Sequence, residues 1–172
     1  KQSDRIYQVN IEGNMGGQEY LSGTTPPPAG AALTNTFPEI EAYTSFFNAS
    51  DEVVRSEENN HAENYFTESN VHGVDSNFLQ VFNYKFLQGD AATCLQKPNA
   101  VVITEETAKK YFPQDAAHGS TNAIGKVLLF DTDKKPFIIT GVLQNNLSKF
   151  SFKFDFLALI HSYWELKKKI VN

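Results

Sequence analysis

The chain has 172 residues, enough for one domain or two small subdomains with a real core. Hydrophobic residues at 41% and charged residues at 20% exclude a disordered chain, and 14 Phe with 7 Tyr make a heavy aromatic load. The formal net charge is −5 with one short basic run, Lys167–Lys169, which excludes a nucleic-acid-binding role; three lysines read as the solvated side of a closing helix, since lipid-reading clusters carry about four to eight charges.

In chain order, Arg5–Ile11 is expected as a strand with Tyr7, Val9 and Ile11 on one face. Gly13, Gly16 and Gly17 match neither phosphate-binding spacing and read as a flexible loop. Thr25 and Pro26 open a predicted helix as its cap and first residue, with Ala29, Ala32, Leu33 and Phe37 on one side and Pro38 as its stop. A polyproline ligand run at Pro26–Pro28 is the alternative, and the apolar stripe that follows favours the helix. A second strand is predicted over Ile40–Phe47. The acidic, polar stretch Asn48–Asn64 reads as a surface connection or a subdomain crossover.

The pattern is denser from Val71 to Leu143. Asp75, Ser76 and Asn77 predict a cap for a short helix carrying Phe78 and Phe82 four residues apart. Tyr84–Leu87 reads as a strand ended by Gly89 and Asp90. Ala100–Ile103 reads as a compact strand entering a helix at Thr104, with Glu105 and Glu106 in its first turn, Lys109 and Lys110 in its last, and Pro113 as its stop. Val127–Phe130 and Phe137–Leu143 predict a hairpin across Asp131–Lys135, with Gly141 at a bulge or close backbone approach. Phe150–Phe156 alternates without a break, four phenylalanines on one face against Ser151, Lys153 and Asp155. A final helix is predicted from Ser162, with Tyr163, Leu166 and Ile170 on one side. Strands and helices interleave without the strict alternation of a doubly wound sheet, so the fold class is α+β.

No run approaches the ~18–20 apolar residues of a membrane span, and the most apolar stretch, Phe154–Ile160, contains Asp155. The opening Lys1–Asp4 carries no signal-peptide pattern, and the chain reads as a piece of a longer protein. The search for chemistry yields little. Cys94 has no second thiol to pair with and is expected as a small buried hydrophobe beside Leu95. His61, His72, His118 and His161 lie far apart without i, i+4 pairing, so no metal site is expected. Leu21-Ser22-Gly23 lacks the first glycine of a nucleophile elbow. Glu57-Glu58 and Glu105-Glu106 are neighbours whose side chains diverge, and they read as solvated surface. Asp131-Thr132-Asp133 opens like a calcium loop but lacks its glycine and closing glutamate. Asn48-Ala49-Ser50 and Asn146-Leu147-Ser148 are glycosylation sequons by pattern, relevant only in a eukaryotic protein. No catalytic, cofactor-binding or metal-binding residue is assigned. No cofactor is expected, and the chain does not read as an enzyme.

A series of blocks then carries a resemblance. Asp4–Val9 comes first, then Thr25–Pro28 with Phe37–Ala42, then Val74–Phe82 through Leu87–Asp90. Lys97–Phe112 follows, then Ile124-Gly125-Lys126, Ile138–Val142 and Phe154–Leu157. In this order they resemble the MacB-like periplasmic core domain of ABC-transporter permeases in the MacB/FtsX superfamily. Gln114–Asn122 is longer than the short acidic turn usual there. The resemblance implies two mixed α/β subdomains, one inserted into the other. Residues 1–55 and 150–172 would form an incomplete membrane-proximal, porter-like part, and 56–149 the inserted, sabre-like part. It implies transmission, not catalysis. A cytoplasmic ATPase dimerises on ATP, permease helices carry the motion, and the ectodomain drives a periplasmic adaptor or expels substrate in efflux. It further implies a membrane-embedded parent, a homodimer or heterodimer, with this part on the periplasmic side of the bacterial inner membrane. The competing possibility is a periplasmic binding module for a hydrophobic or lipidated ligand, which needs a large apolar cavity or groove. A cryptic enzyme would need ionisable groups converging in one pocket.

Overall fold

The computed structural model describes residues 5–48, 51–58, 65–113, 122–131, 133–145 and 153–162. The chain forms two compact units, Lys1–Ser45 and Phe46–Asn172.

In the first unit, β1 (Ile11–Met15) and β2 (Gln18–Ser22) pair as an antiparallel hairpin. Its turn is Gly16-Gly17, both at positive φ (62° and 84°), the primed turn geometry whose twist matches that of the strands. The Gly17 N–H donates to Asn14 Oδ1 at 3.0 Å. The Tyr20 ring lies over its directly opposed partner Gly13, where a Cβ would fall 2.7 Å from the Tyr20 hydroxyl. The glycines are therefore the organising turn of a hairpin, not a flexible loop. The strand expected at Arg5–Ile11 begins only at Ile11, and Tyr7 stays 83% exposed. Helix α1 (Ala29–Thr36) starts later than Pro26, with Pro28 at its N-cap and no side-chain cap. Pro26–Ala29 form a turn closed by the Ala29 N–H on the Pro26 carbonyl at 2.9 Å, and the helix begins only after it. None of the described residues of this unit is buried.

The second unit runs β3 (Phe46–Asn48), β4 (Glu52–Ser56), β5 (Tyr65–Glu68), β6 (Val71–Val74), α2 (Phe78–Phe82), β7 (Phe86–Gln88), β8 (Ala100–Thr104), α3 (Glu105–Tyr111), β9 (Val127–Phe130), β10 (Lys135–Leu143) and β11 (Phe156–Leu159). Among the described residues its strands form one mixed sheet in the order β3-β6-β11-β8-β10-β9-β4-β5, with β7 on the far end of β10. β10 runs parallel to β8 and β11 parallel to β6, and the other pairs are antiparallel. Mixed helices and strands make the fold α+β. β4, which straddles residue 55, and β11, beyond residue 150, are hydrogen-bonded into the same sheet as residues 65–143.

Two corrections follow from this sheet. Of the strand expected at Ile40–Phe47 only its end, from Phe46, is paired into the sheet, and the stretch expected as a surface connection or a subdomain crossover holds β4, with Glu52, Val54 and Ser56 buried. Polar inward residues on β4 hid it from an alternation of apolar residues. The second concerns the phenylalanine strand, of which residues 150–152 lie outside the described residues. Phe154 and Phe156 do not share a face. The Asp155 and Phe156 N–H groups both donate to the Asn70 carbonyl (2.9 and 3.2 Å), and Asn70 Nδ2 donates to Asp155 Oδ2 at 2.7 Å. That pinch bulges the backbone, sending Phe154 into one core cluster and Phe156 into the other.

The clusters lie on opposite faces of the sheet. Beneath α3, Tyr111 and Phe112 pack with Val54, Val101, Ile103, Leu128, Phe130, Phe137, Ile139 and Phe156. Beneath α2, Phe78 and Leu79 pack with Tyr84, Leu95, Val102, Leu143, Phe154 and Leu157. Both faces of β8 are covered, which is why its sequence is continuously apolar. α3 starts as expected: Thr104 Oγ1 accepts the Thr107 N–H at 3.2 Å, with Glu105 and Glu106 at the positive end of the helix dipole. At α2 the N-cap position falls on Asn77, whose side chain makes no cap bond, and the Phe78 N–H bonds the Asp75 carbonyl. Gly141 meets its expectation, for the β8–β10 register shifts between Ile139 and Gly141. A Cβ there would sit 3.0 Å from Phe86 and 3.1 Å from Val102.

Candidate functional site

The densest buried polar cluster described lies between α3 and the β4–β5 edge of the sheet. Antiparallel register sets Glu52 directly opposite Glu68, both buried. From α3, the Tyr111 hydroxyl donates to Glu68 Oε1 at 2.6 Å and Lys110 Nζ donates to the same oxygen at 2.7 Å. Lys110 also lies 4.3 Å above the Phe66 ring, and Tyr111 meets Phe66 and Phe156 edge-on at 5.3 and 5.8 Å. Burial, then the bond to Glu68, holds the Tyr111 phenol well above its ordinary range. With Lys110 and Tyr111 both committed to it, Glu68 fastens α3 to β5 and is poorly placed to exchange protons with a substrate.

The other residues weighed from the sequence remain apart. His72 is buried on β6 with Nε2 2.9 Å from the Lys153 carbonyl, and His161 is exposed. Cys94 is buried in the α2-side cluster, where burial pushes its thiol up to about 11. Glu58 pairs with Lys126 at 2.8 Å and Glu105 with Lys109 at 2.6 Å, on the surface. Asp131 and Lys134, both at positive φ, turn β9 into β10. Among the described residues no group of three or more His, Cys, Asp or Glu is gathered for a metal ion. No described helix is long and apolar enough to cross a membrane. His61, His118, Asn146–Ser148, Lys167–Lys169 and the predicted helix from Tyr163 onward lie outside the described residues. The Glu68 cluster escaped sequence inspection because its members are about forty residues apart; the available signal was Glu68 falling in step with Phe66 on β5.

Several exposed apolar groups of the second unit stand on its outer strands, and Ile138 on β10 is exposed as well. Phe46 and Phe47 stand on the edge strand β3, Tyr65 and Phe66 on the opposite edge strand β5, and Leu87 on β7.

A family model for the MacB-like periplasmic core domain matches residues 1–170. Among solved structures, a domain ascribed to a permease of Porphyromonas gingivalis aligns with a TM-score of 0.60 and 16% identity, over 84% of this chain and 56% of that one. The periplasmic region of MacB from Actinobacillus actinomycetemcomitans aligns with a TM-score of 0.54 and 19% identity, over 80% of this chain and 58% of that one. The chain thus spans little more than half the length of either solved structure. No curated protein matches it.

Proposed function

We propose, from the premise that this chain belongs to the MacB-like periplasmic core domain family, that it is the greater part of the extracytoplasmic domain of an ABC-transporter permease. Its role in that setting is mechanical and non-catalytic. Movement driven by a cytoplasmic ATPase reaches it through the membrane helices of the parent and passes to a periplasmic adaptor or to the exported substrate. The site of action is the periplasmic side of a bacterial inner membrane, in a dimeric parent. The observation that carries this is the family match across residues 1–170.

Two structural features support it. Close-packed interiors transmit strain with little compliance, and β8 is buried on both faces at the centre of the sheet. The ionisable cluster under α3 is an internal fastening, as a transmitting domain needs. The first unit, without a buried side chain among its described residues, is completed in this proposal by further chain of the parent ectodomain.

The test uses the full-length parent in lipid with its ATPase, spin-labelled at Tyr7→Cys and Leu87→Cys, one exposed site in each unit. Pulsed electron resonance reads the distance distribution before and after trapping with ATP and vanadate. A shift in the distribution is expected. An unchanged distribution in a transporter that still hydrolyses ATP would remove the mechanical role.

A further inference from the structure

The strand order of the second unit conceals a closure. Laid flat, the six inter-strand gaps from β5 to β6 would hold those strands about 29 Å apart. Yet only Ser69 and Asn70 separate Glu68, the end of β5, from Val71, the start of β6, a reach of about 11 Å at most. The sheet is therefore rolled. Residues 65–74 are one bent run that pairs with β4 at one end and with β11 at the other. Ring contacts across the roll agree. Phe130 on β9 and Phe156 on β11 are not neighbours in the strand order, but their rings meet at 5.8 Å. Tyr111 touches Phe66 on β5 and Phe156 on β11 at 5.3 and 5.8 Å. The α3-side cluster is the inside of the roll.

Three ties meet at the bend. The Asn70 carbonyl accepts the Asp155 and Phe156 N–H groups and Asn70 Nδ2 donates to Asp155 Oδ2, which fixes the bend to β11. The Asp155 carbonyl accepts the Thr104 N–H at 3.2 Å and the Thr107 hydroxyl at 3.4 Å, which fixes β11 to the start of α3. Lys110 and Tyr111, both on Glu68 Oε1, fix the end of α3 back to the bend. The ties run in a ring, from the bend to β11, from β11 to α3, and from α3 to the bend. Each element is located by the other two, so the loss of one tie loosens all three.

We propose that the bend at Ser69 and Asn70, β11 and α3 form one latch that closes the roll, and that they open and shut as a single unit while β9 and β10 stay paired. Opening lifts Tyr111 off Phe66 and Phe156 and parts the rolled sheet at its bend. The β9–β10 ladder has no member in the ring of ties, so it keeps its pairing when the latch releases. Local opening of this kind follows contiguous cooperative units, and the ring defines one here from residues far apart in the chain. The inference does not depend on the transmission proposed above.

The test is native-state hydrogen exchange, read by mass spectrometry on the full-length protein in lipid. In the wild type, segments 65–74, 104–112 and 153–159 should exchange with one common opening constant. Asn70→Ala keeps the carbonyl and removes only the bond from Nδ2 to Asp155. It should speed exchange in all three segments by one factor, about tenfold or more, the fold-change for one hydrogen bond to a carboxylate. Segment 127–143, the β9–β10 hairpin, should be unchanged. Lys110→Met perturbs the ring from its other end. It should speed segment 153–159 as much as 65–74, although Lys110 has its ion pair with Glu68 on β5. Should Asn70→Ala fail to fold, Lys110→Met reads the same coupling alone. Three separate opening constants in the wild type would overturn the proposal. So would an effect of Asn70→Ala confined to 65–74 and 153–159, an effect of Lys110→Met that stops short of 153–159, an equal acceleration of 127–143, or no acceleration at all.

Discussion

Replacing Tyr111 by Phe removes one oxygen and leaves the ring contacts with Phe66 and Phe156 in place. The lost bond is the 2.6 Å donation to Glu68 Oε1. Hydrogen bonds to charged groups contribute about 1.5–3 kcal/mol. Lys110 still answers that oxygen, so the loss should sit at the low end, about 1.5 kcal/mol. Urea unfolding followed by far-ultraviolet circular dichroism at pH 7 reads it as a lower midpoint at unchanged slope. The alkaline limb supplies a second, independent reading. The folded state holds the Tyr111 phenol above its unfolded value of 10.0, so this contribution is complete below pH 10. Above pH 10 the unfolded chain releases a proton that the folded chain keeps, and stability falls by about 1.4 kcal/mol per pH unit. Burial shifts Tyr84 in the same direction, so the two together should give about 2.7 kcal/mol per unit, and Tyr111→Phe should halve that share. A variant with an unchanged midpoint and an unchanged alkaline slope would refute the Glu68 fastening.

Two further predictions rest on local geometry. Gly89 sits at φ 84° with a hypothetical Cβ 2.6 Å from the Thr140 carbonyl, so Gly89→Ala should cost about 2–3 kcal/mol in urea unfolding. Gly16→Ala, at φ 62° in open space, should cost only about 1 kcal/mol, and equal losses at the two sites would contradict the close approach. Cys94, its thiol raised by burial from 9.0 to about 11, should present about 100-fold less thiolate at neutral pH than an ordinary cysteine. Labelling by a maleimide should be slow in native buffer and prompt in urea, and prompt native labelling would place Cys94 outside the core.

What the sequence disclosed was what neighbouring residues decide among themselves. β8 and α3 were legible because an apolar run, a capping Thr104, two acidic residues and two lysines fall within twelve positions and agree. The β9–β10 hairpin and the Gly141 bulge were legible for the same reason. What stayed hidden was set by partners far along the chain. Asn70 turns Phe154 and Phe156 to opposite faces across 85 residues, so a perfect alternation in the sequence misjudged its own strand. Glu52 and Ser56 point inward only because β5 and β9 flank β4 on the edge side of the sheet.

Among its described residues the second unit is graded from a doubly restrained interior to less restrained edges. β10 is held by β8, β9 and β7, and β8 by β10 and β11 with a core cluster on each face. Displacing either strand breaks pairing on both flanks and packing on both sides, so the central strands move together or not at all. Towards β5 the restraints among the described residues thin to one neighbouring strand and the α3-side cluster. The Glu68–Lys110–Tyr111 fastening stands at that point, where packing alone would leave the edge free to peel. It lies on the α3 side of β5, the face opposite the one that carries Arg55. A load applied at that edge would therefore be carried through α3 into β8, out of whose Thr104 the helix runs, instead of being lost in edge fraying.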